Sequence, residues 1–169
     1  MRKILFSISL LSALFLGGCI KNDPVLVTEA RTEFDAAGWN ANSVGLTYPV
    51  LTRVPALGVA TSTAAPLITR NTGSFTVRVN LNGPQRSTAT DFTYSVNSAS
   101  TAVAGTHFTA LSGVGTIPAN SSFGFITINV LNPGVSSTTP AVLVLELTNN
   151  ANFAISFNYS KIGLSISQL

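Results

Sequence analysis

Apolar and polar residues alternate with a period of two through much of the second half of the chain. Phe75, Val77, Val79 and Leu81 interleave with Thr76, Arg78 and Asn80, which gives an extended segment one apolar face. Phe92, Tyr94 and Val96 repeat the pattern, as do Ile126, Ile128 and Val130 within residues 123–131. Ile162, Leu164 and Ile166 do so against Lys161, Gly163 and Ser165, and Val114 to Ile117 make a short strand before Pro118. Residues 141–148 differ. Val142 and Val144 on one face and Leu143, Leu145 and Leu147 on the other are all apolar, which predicts an interior strand covered on both sides. Asn82-Gly83-Pro84, Ser112-Gly113, Asn132-Pro133-Gly134 and Asn149-Asn150 punctuate these segments as turns.

The stretch before Gly73 is less regular. Residues 32–36 read as a strand, although 30–37 can also be drawn as a helical turn; residues 44–54 read as another strand interrupted by Pro49. Residues 61–66 are small and loop-like. Seven or more short strands separated by turns predict an all-β, antiparallel β-sandwich. No internal repeat or second domain is visible.

Composition narrows the picture. Charged residues are 9% of the chain, against roughly 25% in an average globular protein. Ser, Thr and Asn supply about a third of it and must form most of the polar surface. With many Gly, Pro and β-branched residues, this favours strands and turns over helices.

The N-terminus changes the picture more. Arg2 and Lys3 precede an apolar run from Ile4 to Leu16, which ends in Gly17-Gly18-Cys19. Positive start, apolar core and small residues mark a secretory signal, and the run is shorter than the roughly 20 residues of a bilayer span. Leu16-Gly17-Gly18-Cys19 resembles the bacterial lipobox. The resemblance implies lipidation of Cys19, cleavage before it and acylation, as with palmitate, of the new amino group. Two or more acyl chains anchor a protein stably, so the expected partner is a membrane. The expected organisation is a cleaved helical signal peptide at 1–18, lipidated Cys19 and tether at 19–24, and one domain at 25–169. Lys21-Asn22-Asp23 is similar to the tether that accompanies export to the outer face in Bacteroidetes lipoproteins, with only one acid. That implies an outer-membrane lipoprotein exposed at the cell surface, the periplasmic face being the alternative.

Loss of residues 1–18 removes two of nine basic residues, leaving seven against six acids and a net charge of +1. No basic cluster survives to track nucleic acid. Cys19 is the single cysteine, so no disulfide or thiolate metal site is expected.

Residues 102–147 carry a more specific signal. Ala102-Val103-Ala104-Gly105-Thr106-His107-Phe108 is followed by Gly115-Thr116-Ile117-Pro118-Ala119-Asn120, then Phe125-Ile126-Thr127-Ile128-Asn129-Val130, a turn, and Val142 to Leu147. This order resembles the Calx-beta module and, more closely, Calx-beta-like domains of Bacteroidetes surface lipoproteins of unassigned function. The resemblance implies an immunoglobulin-like sandwich of about seven to nine strands. The family's calcium ligands do not carry over: His107 stands where an aspartate is usual, and no acid lies near Ala141. A calcium ion wants six to eight oxygen ligands, so neither a metal nor another cofactor is expected.

Candidate chemistry is sparse. His107 is the lone histidine and is expected at a strand start, bonded to turn backbone. One histidine without a free cysteine cannot make a three-ligand zinc site. Glu29, Glu33 and Asp35 are expected on a solvated edge, although a glycosidase would need two such acids facing one cleft. Trp39 and Tyr48 have two readings, stacking on sugar rings if exposed together or packing within the domain. The expectation is therefore no catalytic residue and a non-catalytic interaction or structural module with a protein or glycan partner. Glycan capture through Trp39 and Tyr48 is the first alternative, and a glycosidase-type enzyme the second.

Overall fold

The computed structural model describes residues 29–169; the signal segment, Cys19 and the tether lie outside the described residues. Nine strands and one short helix follow in the order β1 (Arg31–Phe34), α1 (Asp35–Trp39), β2 (Val50–Leu51), β3 (Ser74–Asn82), β4 (Thr90–Val96), β5 (Val114–Ile117), β6 (Phe123–Asn129), β7 (Ser137–Thr148), β8 (Ala154–Ile155) and β9 (Lys161–Gln168). They form a four-stranded sheet ordered β6-β3-β1-β8 and a five-stranded sheet ordered β2-β9-β7-β4-β5. The all-β sandwich expected from the alternation is present.

The inner faces are the apolar sets of the sequence pattern. Phe34, Val77, Val79, Ile126 and Ile128 come from the first sheet, and Phe92, Leu143, Leu145, Leu147, Ile162, Leu164 and Ile166 from the second; all are fully buried in one core. Burying each such side chain contributes about 1.5–3 kcal/mol. The ring of Phe92 packs directly against two glycines: a Cβ on Gly115 would fall 2.2 Å from its Cζ, and one on Gly124 3.0 Å from its Cε1. Gly115 belongs to β5 and Gly124 to β6, so this ring bridges the flank where the two sheets meet.

Four expectations change. The sandwich is not purely antiparallel, since β1 pairs with β8, and β2 with β9, in parallel. Parallel neighbours need long crossovers, and more than a hundred residues separate the partners in both cases. The strand expected at 32–36 ends at Phe34 and turns into α1, so the strand and the helical turn both exist in succession. Of the strand expected at 44–54, only Val50–Leu51 pairs as a strand, with an isolated bridge from Arg53 to Leu67. Pro49 has no amide hydrogen for a ladder. Val96, expected inward, is exposed at the end of β4.

β7 is interior, flanked by β9 and β4. Val144 is buried as well as the three leucines, as the two-sided apolar pattern predicted, whereas Val142 on the same face is only half-buried. β4 pairs only as far as Leu145. Beyond it, residues 97–102 continue along β7, with Asn97 and Thr101 amides donating to the Val144 and Val142 carbonyls at 2.8 Å. Hydroxyls complete this edge: Ser100 Oγ accepts from Val144 N–H at 2.9 Å, and Thr101 Oγ1 from Val142 N–H at 2.8 Å.

Candidate aromatic and acidic site on the outer sheet face

The outer face of the four-stranded sheet is set by the same alternation. With Val77, Val79 and Leu81 turned inward, Arg78 and Asn80 must point outward; with Ile126 and Ile128 inward, so must Phe123 and Phe125. Thr32 and Phe34 are buried, which leaves Glu33 outward and half-buried. Register then aligns these side chains across the strands. Asn80 lies opposite Phe123 on one side and Glu33 on the other, while Arg78 lies opposite Phe125. Adjacent strands are about 4.8 Å apart, so Phe123, Asn80 and Glu33 form a short row across the face.

Asp35 anchors the site. Its side chain is 2% exposed and is engaged by four donors. Oδ1 accepts from Arg78 Nη2 at 2.5 Å, Asn80 Nδ2 at 2.9 Å and Trp39 Nε1 at 3.2 Å, while Oδ2 accepts from the Gly58 amide at 2.8 Å. Asp35 opens α1 and Trp39 closes it, four residues on, so one helical turn brings the indole back onto the carboxylate. The Arg78 guanidinium also lies over the Phe123 ring, 5.1 Å from its centroid, and Phe123 meets Phe125 edge-on at 6.3 Å. Arg78 thus ties α1, β3 and the aromatic flank together.

The expectation of a solvated acidic edge is corrected by this burial. Burial alone would raise the Asp35 carboxyl, but the Gly58 amide, Asn80 and the Arg78 hydrogen bond and charge outweigh it and hold it below the ordinary carboxylate range. Glu33 is shifted the other way. Burial raises it and the Asp35 charge adds to this, against hydrogen bonds from Ser156 and Asn80 that lower it.

A cavity of about 340 Å³ opens here, lined by Glu33, Asp35, Gly38, Trp39, Arg78, Asn80 and Tyr159. Trp39 is 53% exposed and Tyr159 38%, and the Tyr159 carbonyl accepts from Phe34 N–H at 2.8 Å. Tyr159 also borders a second cavity of about 710 Å³, whose lining includes Arg31, Asn42, Phe157, Asn158 and Lys161. The sequence reading missed Tyr159 and Phe157. The aromatic and Asn-rich run from Asn149 to Tyr159 was their only signal.

Trp39 and Tyr48 are not presented as an exposed pair: Tyr48 is 9% exposed, its carbonyl accepting from Ser43 N–H at 3.1 Å. The lipidation residue Cys19 lies outside the described residues. His107 sits in a turn, where its Nδ1 accepts from the Val103 amide at 3.0 Å, the backbone role expected of it. The other acids disperse. Glu29 pairs with Arg31, Glu146 with Lys161 at 3.1 Å, and Asp91 accepts from Thr116 Oγ1 at 2.7 Å. Glu33 and Asp35 do share a cavity, but the four donors on Asp35 leave it a structural group. Among the described residues no three His, Cys, Asp or Glu side chains gather as a metal site.

No protein-family model matches the chain, and no curated protein matches it. Solved structures do. The calcium-binding domain CBD12 of CALX1.1 aligns with a TM-score of 0.50 at 23% identity, over 59% of this chain and 40% of that one. CBD12 from CALX1.2 aligns at 0.46 and 22% identity, over 59% and 40%. The apo-form Calx CBD1 domain aligns at 0.47 and 22% identity, over 59% and 88%. This chain thus spans about two fifths of the CBD12 structures. At such identity the likeness concerns the fold alone: the chain folds as a Calx-beta-like, immunoglobulin-like β-sandwich.

Proposed function

We propose that this chain is a lipid-anchored, non-catalytic interaction module at the bacterial cell surface, gripping its partner across the outer face of the four-stranded sheet. The observation that carries the reading is the arrangement of that face. Phe123, Phe125, Trp39 and Tyr159, each partly exposed, flank a polar strip of Arg78, Asn80 and Glu33. Partly exposed aromatics beside fixed polar groups are the composition of a recognition surface. The lipobox-like Leu16-Gly17-Gly18-Cys19 supports the anchoring, and the acid-bearing tether at Lys21-Asn22-Asp23 supports an outer-membrane lipoprotein of the Bacteroidetes type.

Calcium forms no part of this proposal, although a matched domain is a calcium-binding one. His107 stands where the Calx-beta resemblance would place an aspartate, and it spends its Nδ1 on the Val103 backbone amide. A second reading, glycan capture, draws support from the exposed Trp39 beside Asn80, with Asn42 and Asn158 lining the adjoining cavity.

Cell fractionation and partner capture test the two halves of the proposal. Cys19→Ser is expected to leave the protein unlipidated and released from membranes; retention through high-salt washing would refute the anchor. The full lipoprotein in nonionic-detergent micelles is expected to capture a partner from outer-membrane extract or on a glycan array. Trp39→Ala and Phe125→Ala are each expected to weaken that capture at least about tenfold, the effect of losing a central aromatic contact. Undiminished capture by both would move the binding face elsewhere.

A further inference from the structure

The cavity beside Trp39 has an unusual electrostatic balance. Three charged side chains line it: Glu33, Asp35 and Arg78. Arg78 and Asp35 are paired at 2.5 Å and cancel. Glu33 makes no ion pair among the described residues, so its carboxylate carries the remaining charge of a half-buried site. Beside it stand two aromatic side chains. The Trp39 indole is fixed by its N–H on Asp35 at 3.2 Å, and the backbone that carries Tyr159 by its carbonyl on Phe34 N–H at 2.8 Å.

A carboxylate without a counter-ion, next to aromatic faces, favours a cation, because the negative face of a ring attracts positive charge. The acceptors present narrow the kind of cation. Asp35 already serves four donors. Glu33 is therefore the one carboxylate left to offer. A primary ammonium carries three N–H donors and is strongly hydrated, so it loses more than this site returns. A methylated ammonium donates few or no hydrogen bonds, is weakly hydrated and packs its methyl groups on aromatic faces. A volume of about 340 Å³ admits such a group and falls at the small end of ligand pockets.

We propose that this cavity is a recognition site for a methylated ammonium group, with Trp39 and Tyr159 supplying the aromatic walls and Glu33 the counter-charge. The proposal rests on the reading of the outer sheet face as the ligand-binding side and names the chemistry that a partner presents there. A choline-type substituent and a trimethylated lysine both carry the group.

Trp39 is the only tryptophan of the chain, so its fluorescence reports this cavity directly. The full lipoprotein in nonionic-detergent micelles is titrated with tetramethylammonium chloride, against sodium chloride at equal ionic strength. A saturable change in emission is expected with tetramethylammonium alone. Glucosamine hydrochloride, a primary ammonium, and glucose are expected to bind at least about tenfold more weakly. Glu33→Gln, near-isosteric, and Tyr159→Leu are each expected to raise the apparent Kd by about tenfold while the circular dichroism of the sandwich is kept. Phosphocholine and Nε-trimethyllysine then separate the two sources by which binds the tighter. No saturable change with tetramethylammonium, or an unchanged Kd in both variants, would overturn the proposal. If tetramethylammonium fails while Trp39→Ala and Phe125→Ala still abolish partner capture, the cation proposal falls and the outer-face reading stands. If tetramethylammonium saturates while capture is indifferent to both variants, the cation site stands and the outer-face reading falls.

Discussion

Asp35 shows how much a single buried carboxylate can organise when its oxygens are shared out among neighbours. It joins α1 to β3 through Arg78 and Asn80, and to the loop at 58 through the Gly58 amide. Asp35→Ala would strand a guanidinium with 18% of its side chain exposed, and removing one member of a buried pair costs about 3–5 kcal/mol. Loss near the lower end of that range is expected in urea denaturation. The pH dependence has a definite sign. The folded-state pKa of Asp35 is depressed, so its contribution is present above the unfolded value of about 3.9 and fades as pH falls through the folded one. For Glu33 the folded pKa is raised. Stability is then full below the unfolded value of about 4.3 and declines as pH rises through the folded one. Glu33→Gln is therefore expected to raise the melting temperature at neutral pH and to change little at pH 3; a lower melting temperature at neutral pH would contradict this. Neither role was legible beforehand. The sequence shows Glu33 and Asp35 two apart, as on one strand face, and only the break from β1 into α1 buries Asp35 among four donors while leaving Glu33 half-buried beside it.

At the scale of elements, the abundance of Ser and Thr proves to be more than a way of wetting the surface. Where β4 stops, Ser100 and Thr101 hydroxyls stand in for strand partners along β7. Val144 is buried and its amide depends on Ser100 Oγ. Ser100→Ala is expected to leave that N–H unsatisfied and to cost about 1–3 kcal/mol, measurable as a shift of the urea midpoint and as faster hydrogen exchange at Val144. An unprotected Val144 in the parent protein would refute the assignment. The strands with strict alternation, β3, β6 and β9, were legible because one face of each had to be apolar. Of the two-residue pieces, β2 lay inside a longer strand expected at 44–54 without its bounds being legible, and β8 was not foreseen. Two residues contain no period, and their pairing is decided by whichever long strand they happen to lie beside.

Across the whole molecule, the sandwich stands without covalent staples. The single cysteine is at position 19, so dithiothreitol is expected to leave the melting temperature of the protein unchanged; a fall would point to a disulfide between copies. Cleavage before Cys19, as proposed, would leave a net charge of +1, with which long-range attraction contributes little, and the proposed partner would be chosen by short-range contacts on the sheet face. Sequence alone determined the all-β class, the inward sets of the main strands, the interior place of β7 and the lipobox-like end at Cys19. It could do so because period and local motif are properties of consecutive residues. It could not determine the aromatic and acidic site. Glu33 and Trp39, Arg78, and Tyr159 come from three separate stretches of chain, and only strand register, the one-turn helix after β1 and the crossover to β8 bring them to a single cavity. A cavity has no period. It arises where the outer faces of paired strands meet a loop, so its chemistry was written in residues whose neighbours only the tertiary structure could name.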